Sequence, residues 1–145
     1  MMRCAGALTL LLLAPCLRAD LQTAKSEQNL ERRSGLALAN AARALKEARA
    51  AYSKGDEAQV AVLVKEILES VELAETSLEA TGKNPRKSPK WFKHAEIETR
   101  DLLKHLEAFQ QDMDMTDRPL LDPVKTKVQQ VHDDMLLGVM EGKHK

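Results

Sequence analysis

Apolar residues recur every three or four positions along most of this chain, and that spacing restricts the fold more than any other feature. Steps of three and four average 3.5 residues, so a helix built on them presents one narrow apolar stripe to its neighbours. The predicted stripe residues are Leu38, Ala41, Leu45, Ala48, Tyr52, Val60, Val64, Ile67, Val71, Ala74, Leu78, Phe92, Ala95, Thr99, Leu102, Leu106, Phe109, Met113, Leu121, Val124, Val128, Val131 and Met135. We expect these side chains to form the core of an all-α protein.

Residues that stop and start helices divide the chain into four predicted helices. Lys54-Gly55 and Gly82 are typical of helix ends, and Ser88-Pro89 and Asp122-Pro123 are typical of helix starts. The predicted helices cover residues 26–53, 56–81, 89–115 and 123–140 of one domain, 20–145. Because short loops force successive helices to run antiparallel, we predict an up-down-up-down antiparallel four-helix bundle.

The first predicted helix is rich in alanine where it faces the core, and each alanine buries less apolar surface than a leucine. Gly35 within it weakens the helix further, because glycine is a poor helix former. We expect residues 20–35 to fray, or to fold only when they dock onto a partner.

Residues 1–19 have the features of a cleavable signal peptide. Arg3 supplies the positive start, an apolar stretch follows, and Ala19 is a small residue before the predicted cut. The apolar stretch is shorter than the ~20 residues that a membrane-spanning helix needs. We therefore predict a secreted or periplasmic protein with no transmembrane segment in its mature chain.

Both cysteines, Cys4 and Cys16, lie in the predicted signal peptide, so the mature chain is predicted to contain none. A second interpretation remains open, because Leu13-Ala14-Pro15-Cys16 loosely resembles a bacterial lipoprotein cleavage box in which Cys16 would be lipidated. Pro15 fits that box poorly. An exported chain without disulfides is more typical of a bacterial envelope than of small disulfide-stapled extracellular domains.

Charge balance and the lack of known motifs argue against several function classes. Lys and Arg number 22, as do Asp and Glu, so the formal net charge is +0 and does not indicate a nucleic-acid binder. The sequence contains no covalent haem motif, zinc-protease motif, phosphate-binding glycine loop or nucleophile elbow. We predict that the protein is not an enzyme and carries no cofactor.

The stretch KNPRKSPKWFK, residues 83–93, combines clustered basic residues with the chain's single tryptophan. Lys90 and Lys93 fall in the first turn of a predicted helix, where the helix dipole favours acids, so helix stability does not explain them. We predict that this stretch contacts an unknown protein or an anionic envelope component. The predicted contact residues are Lys83, Arg86, Lys87, Lys90, Trp91 and Lys93. The alternative is that Trp91 covers the end of the core and the lysines are solvated.

The predicted topology also separates charge. The loop that contains Lys83 would share one end of the bundle with the C-terminal Lys143 and Lys145. The opposite end would carry the acidic residues Asp56, Glu57, Asp112, Asp114, Asp117 and Asp122. We therefore expect the balanced net charge to conceal a dipolar molecule.

A second functional hypothesis is a periplasmic metal- or haem-binding bundle. His94, Glu98, Asp101 and His105 recur at helical spacing and share one face, and we expect His132 to lie level with residues 101–105. Imidazoles and carboxylates bind zinc and similar ions, and haem would use His132 with another histidine. The predicted ligands are His94, Asp101, His105 and His132. The competing interpretation is that these residues form ordinary surface ion pairs.

Overall fold

The computed structural model describes residues 20–142. The predicted signal peptide, with Cys4 and Cys16, lies outside the described residues, as do Lys143 and Lys145. The described part is all-helical and contains no β-strand. Its elements are α1 (Leu21–Ser26), α2 (Leu30–Ser53), α3 (Glu57–Ala80), α4 (Lys90–Asp112), a 3₁₀ turn (Arg118–Leu121) and α5 (Asp122–Glu141).

Short polar side chains fix where the helices begin. The Asn29 side chain accepts a hydrogen bond from the Arg32 N–H at 2.9 Å, and the Asp56 side chain accepts one from the Gln59 N–H at 3.1 Å. Each satisfies an amide that has no partner within its helix. Gly55 adopts φ +74° between α2 and α3, a left-handed conformation that favours glycine and ends the helix.

The chain before α2 differs from the sequence-based expectation. The sequence predicts that residues 20–35 fray or fold only on docking to a partner, but residues 21–26 form α1, which packs against α2 and α3. Leu21 and Ala24 are buried, and Ala24 is 0% exposed. The Arg33 Nε donates to the Glu27 carbonyl at 2.7 Å and closes the break between the two helices. Burial of Leu21 and Ala24 together with local capping therefore orders a segment that the sequence predicts to be weakly helical.

The four long helices pack against each other around one core. α2 packs most extensively on α3 and α4 on α5, while α2–α4 and α3–α5 contacts join the two pairs. The predicted stripe residues are buried, except Tyr52 and Val64, which are partly buried against the core. The predicted 3.5-residue spacing is thus confirmed as the pattern of the core.

Contacts between chain segments define which parts of the helices lie close together. Lys83 Nζ, just after α3, lies 2.6 Å from Glu31 Oε1 in the first turn of α2. A Cβ placed on Gly142, just after α5, would lie 3.1 Å from the Asn84 side-chain oxygen. The start of α2, the α3–α4 loop and the end of α5 therefore meet in one region.

Candidate functional site

The loop between α3 and α4 is held in a defined shape by Asn84. Its side-chain oxygen accepts hydrogen bonds from the backbone N–H groups of Arg86 at 2.9 Å and Lys87 at 3.3 Å. Its carbonyl accepts from the Ser88 N–H at 2.9 Å. Pro85 is buried, whereas the basic side chains of the loop are exposed. The loop therefore has a defined backbone conformation that holds its basic side chains at the surface.

The six predicted contact residues lie on this loop and the first turn of α4. We call the surface formed by Lys83, Arg86, Lys87, Lys90, Trp91 and Lys93 the basic end. Four of the six, Lys83, Lys90, Trp91 and Lys93, line one depression of about 470 Å³ together with Ser88, Pro89 and Glu31. Arg86 and Lys87 are exposed on the adjoining loop and are not part of its lining.

Trp91 packs on the protein. It is partly buried, its ring centroid lies 5.9 Å from that of His94, and a Cβ placed on Gly35 would lie 3.1 Å from its Cζ3 atom. Lys90 Nζ lies 5.4 Å from the Trp91 ring centroid, which is cation–π distance. Phe92, the next residue in the chain, is 0% exposed. Trp91 therefore covers the end of the core, as the alternative interpretation expected, and also forms one wall of the depression.

The start of α4 adds positive electrostatic potential to the basic end. The sequence predicts Ser88 as the N-cap and a helix that begins at Pro89, but α4 begins at Lys90 and Pro89 occupies the N-cap position. The proline side chain cannot accept a hydrogen bond, so the first amides of α4 lack a side-chain cap. These amides carry the positive pole of the helix dipole, and the lysines of the first turn reinforce it.

The structure does not bring the four predicted metal ligands together. His94, Asp101 and His105 lie on the side of α4 that faces α2, where Asp101 and His105 line a pocket between these helices. His132, a residue of α5, contacts a different side of α4. Its Nδ1 atom lies 3.2 Å from the Glu96 carbonyl oxygen and 3.5 Å from Thr99 Oγ1.

The predicted level of His132, beside residues 101–105, is therefore wrong by about one helical turn. Within residues 20–142, no group of three or more His, Cys, Asp or Glu side chains is arranged to hold a metal ion. The metal or haem hypothesis stays a prediction, to be decided by elemental analysis and a visible spectrum of the purified protein.

Acidic residues cluster at the α2–α3 connection and at the connection between α4 and α5. We call the group Asp56, Glu57, Asp112, Asp114, Asp117 and Asp122 the acidic end. Tyr52 organises it, because its hydroxyl donates to Asp117 Oδ2 at 2.9 Å and accepts from the Asp114 N–H at 2.9 Å. Arg49 forms a salt bridge with Asp112.

The two charged ends lie at opposite ends of α2. Glu31 in its first turn contacts Lys83 of the basic end, and Tyr52 in its last turn contacts the acidic end. α2 has 24 residues, and at 1.5 Å per residue its ends are about 36 Å apart. Charge is therefore separated along the molecule, although its formal net charge is +0.

Among the pockets that the sequence did not predict, two combine apolar and charged side chains. One, of about 520 Å³, lies between α2 and α4 over Leu38, Leu45 and Leu102. The other, of about 510 Å³, lies at the acidic end and is lined in part by Val60 and Leu120. The small residue Ala42, which lines the first pocket, was a possible signal for it. No comparable signal marks the second, because its walls come from three separate segments.

Within residues 20–142, no helix is both long and apolar enough to cross a membrane. Comparison with protein-family models, curated proteins and solved structures finds no match to this chain.

Proposed function

We propose that this protein is an exported, non-catalytic helical bundle that acts by contact of its basic end with an anionic envelope surface or an acidic protein. The observation that carries the proposal is the depression lined by Lys83, Lys90, Trp91 and Lys93. Several cations and an uncapped helix start surround it, and acidic residues are concentrated about 36 Å away. An anion that approaches the molecule is attracted to one end and repelled by the other.

The finer architecture in this proposal is an up-down-up-down antiparallel four-helix bundle preceded by a cleavable signal peptide. The contact of Lys83 with Glu31 and that of Gly142 with Asn84 support the topology. It is tested with the chain from residue 20, which contains no cysteine. An Arg86→Cys/Gly142→Cys variant is expected to form an intramolecular disulfide on mild oxidation, because a Cβ at residue 142 would lie 3.3 Å from the Arg86 Cβ. Failure of the folded variant to do so would contradict this topology.

Electrostatics sets the expected strength and salt dependence of the contact. A basic side chain near an anionic membrane contributes about 1 kcal/mol, and this contribution fades over a Debye length of about 8 Å at physiological ionic strength. Arg86, Lys87 and Lys93 are exposed and free to approach a surface, whereas Lys83 is already paired with Glu31. Binding is therefore expected to weaken as salt rises.

The experiment compares binding to vesicles with and without an anionic phosphatidylglycerol component, and to soluble polyglutamate. The Lys87→Glu/Lys93→Glu variant is expected to lose binding. A matched control, Lys65→Glu/Lys104→Glu, makes the same charge change at side chains that are 77% and 70% exposed on the helix flanks, and should retain most of it. The proposal fails if the protein binds neither anion or if the affinity does not change with salt concentration. It also fails if the Lys87→Glu/Lys93→Glu variant and the control variant bind equally well.

The two anions distinguish the possible sources of the partner. A lipid surface is indicated if vesicles bind much more tightly than polyglutamate. An acidic protein is indicated if polyglutamate binds as well as the vesicles do.

A further inference from the structure

The pocket at the acidic end combines apolar walls with carboxylates. Val60, Met113 and Leu120 contribute apolar side chains to its lining, and Glu57 and Asp117 contribute acidic ones. Its volume is about 510 Å³. Leu120 is 41% exposed, so apolar surface in the pocket is accessible to a ligand or to a side chain of a partner. A long alkyl chain that ends in a cation fits this chemistry, because its stem packs on the apolar walls while its head pairs with carboxylate.

Acidic residues at this end exceed the bases that accompany them. Arg49 is engaged with Asp112, and the Arg118 guanidinium donates to the carbonyl oxygens of Met113 and Gln111, both at 3.2 Å. Lys54 is exposed nearby. Glu57 and Asp114 are exposed as well and are available to a partner. The end therefore attracts a basic surface.

The chain itself carries a surface of the required chemistry. The basic end displays Arg86, Lys87 and Lys93 as exposed side chains, with the loop held rigid by Asn84. A preformed loop loses less conformational entropy on docking than a flexible one. Because the two ends of one molecule are about 36 Å apart, its loop cannot reach its own acidic pocket. Contact is possible only between two copies.

We propose that the acidic end of one molecule binds the basic end of a second copy, with a lysine or arginine side chain of the α3–α4 loop seated in the acidic pocket. This deepens the proposed function, because it rests on the basic end as the contact surface and names its partner. The interface is head-to-tail, since the two contacting patches differ, and such contacts build rings or open chains of molecules. Complementary charge sets the register and makes assembly sensitive to salt.

Charge reversal at either end tests this directly. Glu57→Lys/Asp114→Lys removes most of the negative charge of the acidic end and Lys87→Glu/Lys93→Glu removes most of the positive charge of the basic end, while each variant keeps its other end unchanged. In sedimentation-velocity experiments at low ionic strength, the sedimentation coefficient of the wild type should rise with protein concentration. At high salt it should return to the value of the monomer. Each variant alone should stay monomeric, and an equimolar mixture of the two should associate.

Matched controls separate position from net charge. Glu72→Lys/Glu107→Lys and Lys65→Glu/Lys104→Glu make the same charge changes on the helix flanks and should associate like the wild type. A peptide with the loop sequence KNPRKSPK should dissociate the wild-type assembly. The emission of Trp91, the chain's single tryptophan, reports docking next to it. Any variant that loses helicity is replaced by its charge-neutral form, Glu57→Gln/Asp114→Asn or Lys87→Gln/Lys93→Gln, with the same expected loss of assembly.

The proposal is overturned if the wild type stays monomeric, if either end variant assembles like the wild type, or if the mixture stays monomeric. The vesicle and polyglutamate assay separates this result from failure of the proposed function. Glu57→Lys/Asp114→Lys keeps its basic end, so it should still bind the external anion even where self-assembly is absent.

Discussion

Gly35 lies inside α2, where glycine lowers helix stability, and the position of Trp91 explains its use. A Cβ at residue 35 would lie 3.1 Å from Trp91 Cζ3, closer than ordinary van der Waals contact. Without that atom, the indole packs directly on the α2 backbone, which is the close approach that glycine permits. The start of α4 is thereby fixed on α2, and the depression at the basic end takes its shape from this contact.

We predict that Gly35→Leu displaces Trp91 into solvent and costs about 1–3 kcal/mol, the range for overpacking a filled site. Trp91 emission should shift to the red, and urea unfolding should give the change in free energy. Gly35→Ala is the control, because its helix-propensity gain of ~1 kcal/mol offsets a smaller displacement. An unchanged emission spectrum in Gly35→Leu would contradict the packing described.

Tyr52 is the residue around which the acidic end is organised, and its hydrogen bonds affect its acidity. The hydrogen bond from the Asp114 N–H lowers the pKa of the Tyr52 hydroxyl, whereas burial and the bond to Asp117 raise it. The raising effects prevail, and the pKa lies above its ordinary value of 10.0. Because the folded-state pKa exceeds the unfolded one, the stabilisation is complete below about pH 10 and is lost as pH rises through the folded-state value.

We predict that Tyr52→Phe lowers the urea midpoint at pH 7, since both hydrogen bonds of the hydroxyl are lost and the ring contact with Phe109, at 5.8 Å between centroids, is retained. The wild type should lose part of its advantage over the variant above about pH 10. Equal midpoints at pH 7, or a constant difference into strong alkali, would refute the role assigned to the hydroxyl.

Between α2 and α3, a polar network interrupts an otherwise apolar contact. Asn40 and Ser70 are both 0% exposed, and Asn40 Nδ2 donates to Ser70 Oγ at 2.9 Å and to Glu66 Oε1 at 3.0 Å. Arg43 completes the network by donating to Asn40 Oδ1 at 2.8 Å and to Glu66 Oε1 at 2.6 Å. These hydrogen bonds can all form at only one axial register of the two helices. The network therefore specifies the register of α2 against α3.

We predict that Asn40→Ala costs about 1–3 kcal/mol, because it leaves buried polar groups on α3 without their partner. Gln129→Ala removes an exposed amide that bonds only to Asp133 among the described residues, and it should change stability by less than ~0.5 kcal/mol. Chemical denaturation of both variants measures the difference. Similar small changes in the two would show that the network is dispensable.

The start of α1 is capped by one side chain. The Asp20 side chain accepts from the Thr23 N–H at 2.6 Å, and this backbone hydrogen bond is the largest cause of the lowered pKa of Asp20. A lowered folded-state pKa means that the cap stabilises α1 above the ordinary pKa of 3.8 and is lost as pH falls through the folded-state value.

Asp20→Ala is therefore predicted to speed hydrogen exchange at the amides of α1 at neutral pH, with little effect in α3. The wild type should approach the variant's exchange pattern in acid, once exchange rates are corrected for pH. Unchanged protection of Thr23 and Ala24 in Asp20→Ala would contradict the prediction.

At the scale of the whole molecule, helix starts and ends carry the charge separation. Asp56 and Glu57 lie at the beginning of α3, where acids favour the helix dipole, so part of the acidic end serves stability. Lys90 and Lys93 at the beginning of α4 oppose that rule. Residues that oppose local stability are those from which a contact function is most reasonably inferred.

The proposed export predicts a defined mature chain. In a host that secretes the protein, mass spectrometry should find an N-terminus at Asp20, so that α1 begins at the second residue of the mature protein. Ala19→Arg should slow cleavage, because it replaces the small residue before the cut. A chain that retains residue 1, or one that begins at a lipidated Cys16, would contradict the predicted signal peptide.

Local patterns in the sequence predicted the apolar stripes that form most of the core and placed the ends of the four long helices within a few residues. Both follow from local rules, because the 3.5-residue spacing and the capping residues act within one helix. The basic character of residues 83–93 can also be read from the sequence, because it depends on composition alone. His94, Asp101 and His105 likewise share a face of α4, as their spacing predicts.

The way in which one helix packs on another depends on the tertiary structure. The stagger of α5 against α4 is set by the 3₁₀ turn at Arg118–Leu121, and it places His132 beside Glu96 instead of His105. Packing likewise seated Trp91 on Gly35 and ordered α1 against α2 and α3. Rotation, stagger and loop geometry depend on side chains far apart in the chain, and no local periodicity contains that information.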